Sequence, residues 1–165
     1  MTKFLSMRTS SWLKRNKTER STTSYHDALT VGVIFCIDEV NSLPKIDSFI
    51  EKLENDNKMV TVLAYYPNKL EQYKHQYDCF TPRNISFWGG FNTSKVDRFV
   101  KQPFDYLFHL DEKPSKIIQG ILAQSNAKCR VGKYDSSNGY YYEFMINTED
   151  KDYLQQMYDY TSILN

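Results

Sequence analysis

The chain has 165 residues, 41% of them hydrophobic and 25% charged, a composition that suits a single globular domain. No apolar run reaches the roughly 18–20 residues that a membrane span needs. Cys36, Cys79 and Cys129 lack the spacing of a zinc site or of a disulfide framework. We therefore expect a cytoplasmic protein with reduced thiols, no transmembrane segment, no metal and no cofactor.

The formal net charge of +1 conceals an uneven distribution. Residues 1–29 contain six basic and two acidic residues, whereas residues 30–165 contain 15 basic and 18 acidic ones. We predict a basic N-terminal arm and linker over residues 1–29 and a single α/β domain over residues 30–165. A basic, Ser/Thr-rich arm is typical of contact with a polyanion, and its few apolar residues indicate that it folds only on its partner.

The domain begins with a βαβ pattern. A continuous apolar run at residues 31–37 predicts a strand that is buried on both faces. A helix is expected to begin near Ser42, with Ile46, Phe49, Ile50 and Leu53 on one face. Residues 59–65 predict the second strand.

The rest of the chain continues the alternation of helices and strands. We predict a helix at residues 70–77, a strand at 85–88, a helix capped by Asn92 or Thr93, a strand at 106–110, a helix after Pro114, and a helix at about 149–164. A turn at residues 135–139 predicts a hairpin between strands near 129–131 and 140–146. The fold class is α/β: a three-layer, mostly parallel, Rossmann-like open sheet with helices on both faces and an antiparallel pair near the C-terminus.

The motifs of several enzyme classes are missing. The turn after the first strand, residues 37–41, contains no glycine, so it cannot cradle a dinucleotide pyrophosphate. The chain also lacks the P-loop, the GxSxG nucleophile motif and the HExxH metal motif. The sequence therefore argues against a classical Rossmann oxidoreductase and against a P-loop enzyme, and it favours a protein without catalytic activity.

One alternative site lies where the predicted strands end. Ligands of open α/β sheets bind beyond the carboxyl ends of the strands, where this chain places Asp38, Tyr65, His109 and Asp111. Gly89 and Gly90 precede a helix and either present their N–H groups to an anion or form a tight turn with positive φ. The turn is the favoured interpretation, with Trp88, flanked by Phe87 and Phe91, in the core.

A second basic cluster lies near the C-terminus. Lys128 and Arg130 alternate with apolar residues and are expected to share an exposed strand face, with Lys133 nearby. Together with Tyr134, Tyr140, Tyr141 and Tyr142 they predict either a surface that contacts phosphates and stacks bases, or an edge strand that charge protects from pairing.

Four segments resemble an uncharacterised bacterial family of small α/β proteins with a short basic N-terminal segment. They are residues 31–37, 86–89, 101–107 and 127–132, which include the patterns K-x-P-F-D and K-x-[KR]-V-G. The resemblance covers residues 31–147 and, more loosely, the arm. It implies the α/β fold and the basic arm, and no catalytic residue.

The sequence favours a non-enzymatic binding protein that docks on RNA, with the ribosomal subunit as the expected partner. The phosphate-contacting residues would be Lys3, Arg8, Lys14, Arg15, Lys17 and Arg20, with Trp12 as an anchor. The alternative is a small-ligand-binding or enzymatic module with its site at the strand ends. A third interpretation makes the arm a targeting or membrane-surface helix that uses Phe4, Leu5, Trp12 and Leu13.

Overall fold

The computed structural model describes residues 2–37, 43–67, 76–149 and 151–165. The helices within these residues are α1 (Thr2–Arg15), α2 (Leu43–Asn55), α3 (Ser94–Lys101), α4 (Lys116–Gln124) and α5 (Tyr153–Ser162). The strands are β1 (Thr30–Cys36), β2 (Met59–Tyr65), β3 (Asp78–Phe80), β4 (Tyr106–His109), β5 (Cys129–Lys133) and β6 (Phe144–Ile146).

The six strands form one open sheet in the order β3-β2-β1-β4-β5-β6, and every neighbouring pair is parallel. β1 is the central strand because Val33 pairs with Val62 of β2 on one side and with Phe108 of β4 on the other. From β1 the chain adds β2 and β3 on one side of the sheet, and it then adds β4, β5 and β6 on the other side. The topological switch point therefore lies between β1 and β4. The predicted α/β class is confirmed.

Helices cover both faces of the sheet. One core contains Val33, Phe35 and Phe108 of the sheet, packed under α2 and α5. The other contains Ile34 and Leu107, packed under α3 and α4. The alternation of neighbouring residues of β1 between the two cores explains why its sequence is apolar without interruption.

The predictions of β1, α2, β2 and the Thr93 cap of α3 are confirmed. All four apolar residues of the predicted stripe on α2 are buried. The Thr93 side chain accepts a hydrogen bond from the Lys95 N–H and caps α3, while Ser115 caps α4 by accepting from the Ile118 N–H. Periodicity and capping residues are local signals, so the sequence alone specifies these elements.

The predicted antiparallel pair near the C-terminus is wrong. β6 runs parallel to β5, with Val131 paired to Phe144 and Lys133 to Ile146. Between the two strands, Tyr141 and Tyr142 are buried in the core under α3 and α4. Residues 134–143 are therefore a crossover that returns to the start of β5, because burying both tyrosines requires the chain to pass over this face of the sheet.

Two further expectations differ from the structure. Ile85–Trp88 is not a strand: Pro82–Asn84 form a 3₁₀ turn, and Ile85 makes an isolated antiparallel bridge to Phe91. Asp78–Phe80 form the edge strand β3, which the sequence analysis missed because the strand has only three residues. Most of the predicted helix at residues 70–77 lies outside the described residues, as do Asp38 and Ser42.

Candidate functional site

The first helix, α1, packs on the body of the protein through one face. Leu5 and Thr9 are buried, Trp12 is partly buried, and the three recur at helical spacing. After the helix, the Asn16 amide donates to the carbonyls of Ala123 at 3.0 Å and Ser125 at 2.9 Å, at the end of α4. The two helices therefore lie side by side, and α1 has no need of a partner to be ordered.

Two glycines explain how closely α1 approaches the body. Gly89 has φ of 76°, and a Cβ there would lie 2.7 Å from the Leu5 Cα. A Cβ on Gly120 of α4 would lie 3.3 Å from the Trp12 ring. The expectation that residues 1–29 fold only on a partner is therefore wrong for α1. The division into an arm and a domain stays a prediction.

The outward face of α1 is basic. Five exposed basic residues lie on α1 or just after its end: Lys3, Arg8, Lys14, Arg15 and Lys17. Among the described residues, none of the five forms an ion pair. The helix contains no Asp or Glu. These cations consequently produce a positive potential that no neighbouring carboxylate on the helix cancels.

Arg20 behaves differently from the other basic residues of the N-terminal segment. Its guanidinium donates to the Ala127 carbonyl, and its Nε lies 3.8 Å from a Glu143 carboxylate oxygen. Burial, together with the nearby Arg130 cation, lowers the pKa of Arg20 to about 10, although Glu143 opposes the change. Arg20 therefore fastens the segment after α1 to the body.

An aromatic cluster lies beside the basic face, and it is formed by Phe4, Phe87 and Trp88. The ring of Phe4 lies 5.7 Å from that of Phe87 and 5.1 Å from that of Trp88, between centroids. Phe87 is 65% exposed and Trp88 60% exposed. The prediction that Trp88 belongs to the core is wrong, because Ile85 and Phe91 point inward and the tight turn between them turns residues 87 and 88 outward.

The Gly89-Gly90 turn uses its own N–H groups. The Gly89 N–H donates to the Ser86 carbonyl and the Gly90 N–H to the Ser86 hydroxyl, both at 2.9 Å. Gly89 has the positive φ expected of a tight turn. These N–H groups therefore close the loop that carries the aromatic cluster.

His109 lies at the end of β4, fully buried in a closed hydrogen-bond network. Its Nε2 is 3.0 Å from an Asp111 carboxylate oxygen, and its Nδ1 is 2.8 Å from the Tyr142 hydroxyl. Asp111 also accepts from the Cys36 N–H at 2.9 Å, which links the ends of β1 and β4. Burial raises the pKa of Tyr142 far above its ordinary value, so this phenol stays protonated. The network joins the two strands at the switch point.

Of the other residues of the alternative ligand site, Tyr65 ends β2 beside Cys36 of β1, whereas Gly89 and Gly90 lie in the loop before α3. Tyr65 is buried, with its ring 5.0 Å from that of Phe80. Gly89 lies against α1, and Asp38 is outside the described residues. The structure thus brings together His109 and Asp111 and adds Tyr142, which is 33 residues away from His109 in the chain. No local signal in the sequence indicated this partner.

The second basic cluster is paired within the protein. Arg130 is buried, and its Nη2 lies 2.7 Å from a Glu143 oxygen. Lys128 lies 2.8 Å from Asp105, and Lys133 lies 3.4 Å from Glu112. The expectation that Lys128 and Arg130 share an exposed face at a sheet edge is wrong, because β5 lies between β4 and β6. Of the four nearby tyrosines, Tyr134 and Tyr140 are exposed, whereas Tyr141 and Tyr142 are buried.

Other kinds of site find little support in the described part of the chain. It contains no group of three or more His, Cys, Asp and Glu residues placed to hold a metal ion. None of the three cysteines forms a disulfide. Its helices include none that is both long and apolar enough to cross a membrane.

A cleft of about 500 Å³ lies near the starts of β1 and β2, at the end of the sheet opposite to His109. Its Lys58 ammonium is committed to the carbonyls of Tyr25 at 2.6 Å and Ala28 at 2.8 Å. The Asp56 carboxylate accepts from the hydroxyls of Tyr25 and Tyr158. The charged groups of this cleft therefore hold the segment before β1 against α5.

The molecule is thus an open, doubly wound α/β protein with an N-terminal helix packed on its outer surface. The model of the family of unknown function DUF6913 matches residues 2–164, and the chain belongs to this family. The matched residues include the whole of α1. Comparison with curated proteins and with solved structures gave no match.

Proposed function

We propose that this protein binds RNA through the outward face of α1 and does so without catalysis. The observation that carries the proposal is that Lys3, Arg8, Lys14, Arg15 and Lys17 are exposed and, among the described residues, without ion pairs. Cations on a fixed helix keep their spacing, so binding to phosphates costs little conformational entropy.

The arrangement supports contact with phosphates and not the reading of a sequence. Lysine and arginine on an exposed helix neutralise backbone phosphates and release condensed counterions. Association with a ribosomal subunit in the cytoplasm is the cellular setting that we propose, because ribosomal RNA presents a large phosphate surface there.

The test compares two triple variants that lose the same charge. One removes three cations of the proposed interface: Lys14→Gln, Arg15→Gln and Lys17→Gln. The control removes three exposed lysines on other parts of the surface: Lys45→Gln, Lys113→Gln and Lys151→Gln. Both variants have the same net charge, so a difference between them reports the position of the cations and not the total charge.

Binding to an unstructured RNA is measured by fluorescence anisotropy at several salt concentrations. The logarithm of the association constant falls as the logarithm of the salt concentration rises. We expect this negative slope to become shallower by up to about 2 in the first variant, because each lost contact with single-stranded RNA contributes roughly 0.7. The control variant should retain the slope of the unmodified protein. Equal slopes for all three proteins would refute the proposal.

The cellular setting is tested separately. Tagged unmodified protein and the two triple variants are used for capture from lysate at low and high salt, with ribosomal RNA quantified. We expect salt-sensitive recovery of ribosomal RNA with the unmodified protein and the control variant, and reduced recovery with the first variant. Equal recovery with all three would exclude the ribosome as a partner of this surface.

A further inference from the structure

Much of the surface of the aromatic cluster is exposed to solvent. Phe87 and Trp88 are each more than half exposed, and their ring planes meet at 86° with centroids 5.3 Å apart. Phe4 is 37% exposed at the edge of the cluster. Large aromatic side chains grouped on a surface in this way mark a binding site more often than an idle surface.

The loop that holds the cluster is fixed on both sides. The Ser86 N–H donates to the Gly90 carbonyl at 2.8 Å, and the Asn92 N–H donates to the Asn84 carbonyl at 2.7 Å. The loop also rests on α1, where Gly89 meets the backbone of Leu5. The rings are therefore presented by a closed turn and do not need to be ordered when a partner binds.

Charge limits what this cluster can contact. Neither α1 nor residues 81–93 contain an Asp or Glu, while Lys3, Arg8 and Arg83 belong to these segments. Arg8 lies between the cluster and Trp12: a Cβ on Gly90 would lie 2.8 Å from its Nη1, and its guanidinium carbon is 6.0 Å from the Trp12 ring centroid. The surface is complementary to a ligand that offers both negative charge and flat apolar faces.

We infer that the aromatic cluster stacks with unpaired bases, so that the RNA bound by this protein is single-stranded where it meets Phe87 and Trp88. This inference rests on the proposed function, because the same basic face supplies the phosphate contacts. Aromatic rings beside cations are the usual combination for binding single strands, since every base has a π face that can stack. A duplex offers its phosphates but keeps its bases stacked inside.

The experiment compares Trp88→Ala and Phe87→Ala with the control Tyr160→Ala. Tyr160 is 51% exposed on α5, which packs on the other face of the sheet. The probes are an unstructured RNA of about 12 nucleotides and the same strand annealed to its complement. We expect the two cluster variants to weaken single-strand binding by roughly 5- to 100-fold and duplex binding by less than about twofold, with the control unchanged.

A second measurement reports contact directly. Trp88 is the exposed one of the two tryptophans. The single-stranded probe should therefore quench the fluorescence of the unmodified protein, and the Trp88→Phe variant should lose most of this quenching. Quenching that survives in the variant would overturn the inference.

The outcomes separate this inference from the proposed function. If the triple variant at Lys14, Arg15 and Lys17 weakens RNA binding while Trp88→Ala does not, the basic face binds RNA and the stacking inference alone is wrong. If the triple variant has no effect, the proposed function fails, and the inference fails with it. Binding to vesicles of phosphatidylglycerol and phosphatidylcholine that depends on Trp88, without RNA binding, would overturn both in favour of a membrane surface.

Discussion

The protein has two basic regions, and they differ in what lies opposite each cation. On α1, Lys14 and Arg15 extend into solvent from a helix without acidic residues. Around β5, Arg130 meets Glu143 and Lys128 meets Asp105. The first region therefore presents a positive electrostatic potential to solvent, whereas the cations of the second region are neutralised by ion pairs within the protein.

This difference teaches that the number of basic residues in a segment does not identify a binding surface. A cation paired with a carboxylate contributes little to the field that an RNA meets, because the two charges nearly cancel at a distance. The exposed fraction of the side chain and the presence of a carboxylate partner decide the assignment. The comparison predicts that substitutions in the ion pairs around β5 lower the free energy of unfolding substantially, whereas substitutions of the exposed cations of α1 change it little.

The largest effect is expected from Glu143→Ala. The variant leaves the Arg130 guanidinium buried without its carboxylate and also removes the acceptor of the Arg130 N–H at 2.8 Å. We expect a loss of about 3 kcal/mol in the free energy of unfolding, measured by urea denaturation. Glu51→Ala, at an exposed position on α2, is the control and should change it by less than about 0.5 kcal/mol. Equal losses for both variants would show that the pair is not structural.

Gly89→Ala tests whether packing and not charge holds α1 on the body. The new Cβ would lie 2.7 Å from the Leu5 Cα, at a residue with φ of 76°. We expect a loss of about 2 kcal/mol and faster cleavage of α1 by trypsin at its exposed basic residues. Gly139→Ala is the control, because its Cβ would come no closer than 3.5 Å to a neighbour. Unchanged cleavage would contradict the tight contact.

A smaller effect is expected from acid at Asp105. Burial favours its protonated form, but hydrogen bonds from Lys128, Thr30 and Leu29 outweigh this and lower the pKa of Asp105 to about 2, from 3.8. A lowered folded-state pKa adds stability above pH 4 that is lost as the pH falls toward 2. We expect this contribution to be about 1–2 kcal/mol, allowing for solvent screening.

The check is urea denaturation of the unmodified protein and of Asp105→Asn across this pH range. Their difference in stability should be constant above pH 4 and should shrink toward pH 2. A difference that does not change with pH would mean that the carboxylate charge contributes nothing.

The smallest effect on stability belongs to the triple variant at Lys14, Arg15 and Lys17. Exposed cations outside ion pairs contribute little to folding, so the free energy of unfolding should change by less than about 0.5 kcal/mol. Urea denaturation checks this directly. A loss above about 1 kcal/mol would mean that these residues help to fold the protein, and the contrast between the two basic regions would fail.

The predictions that succeeded rest on local patterns. An uninterrupted apolar run predicts β1, and a stripe with helical spacing predicts α2, because each element buries the residues that define it. The predicted cap Thr93 acts within its own helix.

The candidate site was only partly predictable. The basic residues of α1 are evident from composition, but the exposure of Trp88 depends on a turn that points Ile85 and Phe91 inward. The burial of Arg130 depends on Glu143, which lies 13 residues away in the chain. Neither arrangement leaves a periodic signal.

The sequence by itself determined the α/β class, the order of its main elements and the concentration of positive charge in the first residues. Only the tertiary structure decided that β6 runs parallel to β5, and that α1 is seated against Gly89 and Gly120. It also decided which cations remain exposed. The physical reason is that periodicity and charge are properties of neighbouring residues, whereas strand direction, close backbone contacts and ion pairs depend on residues that only folding brings together.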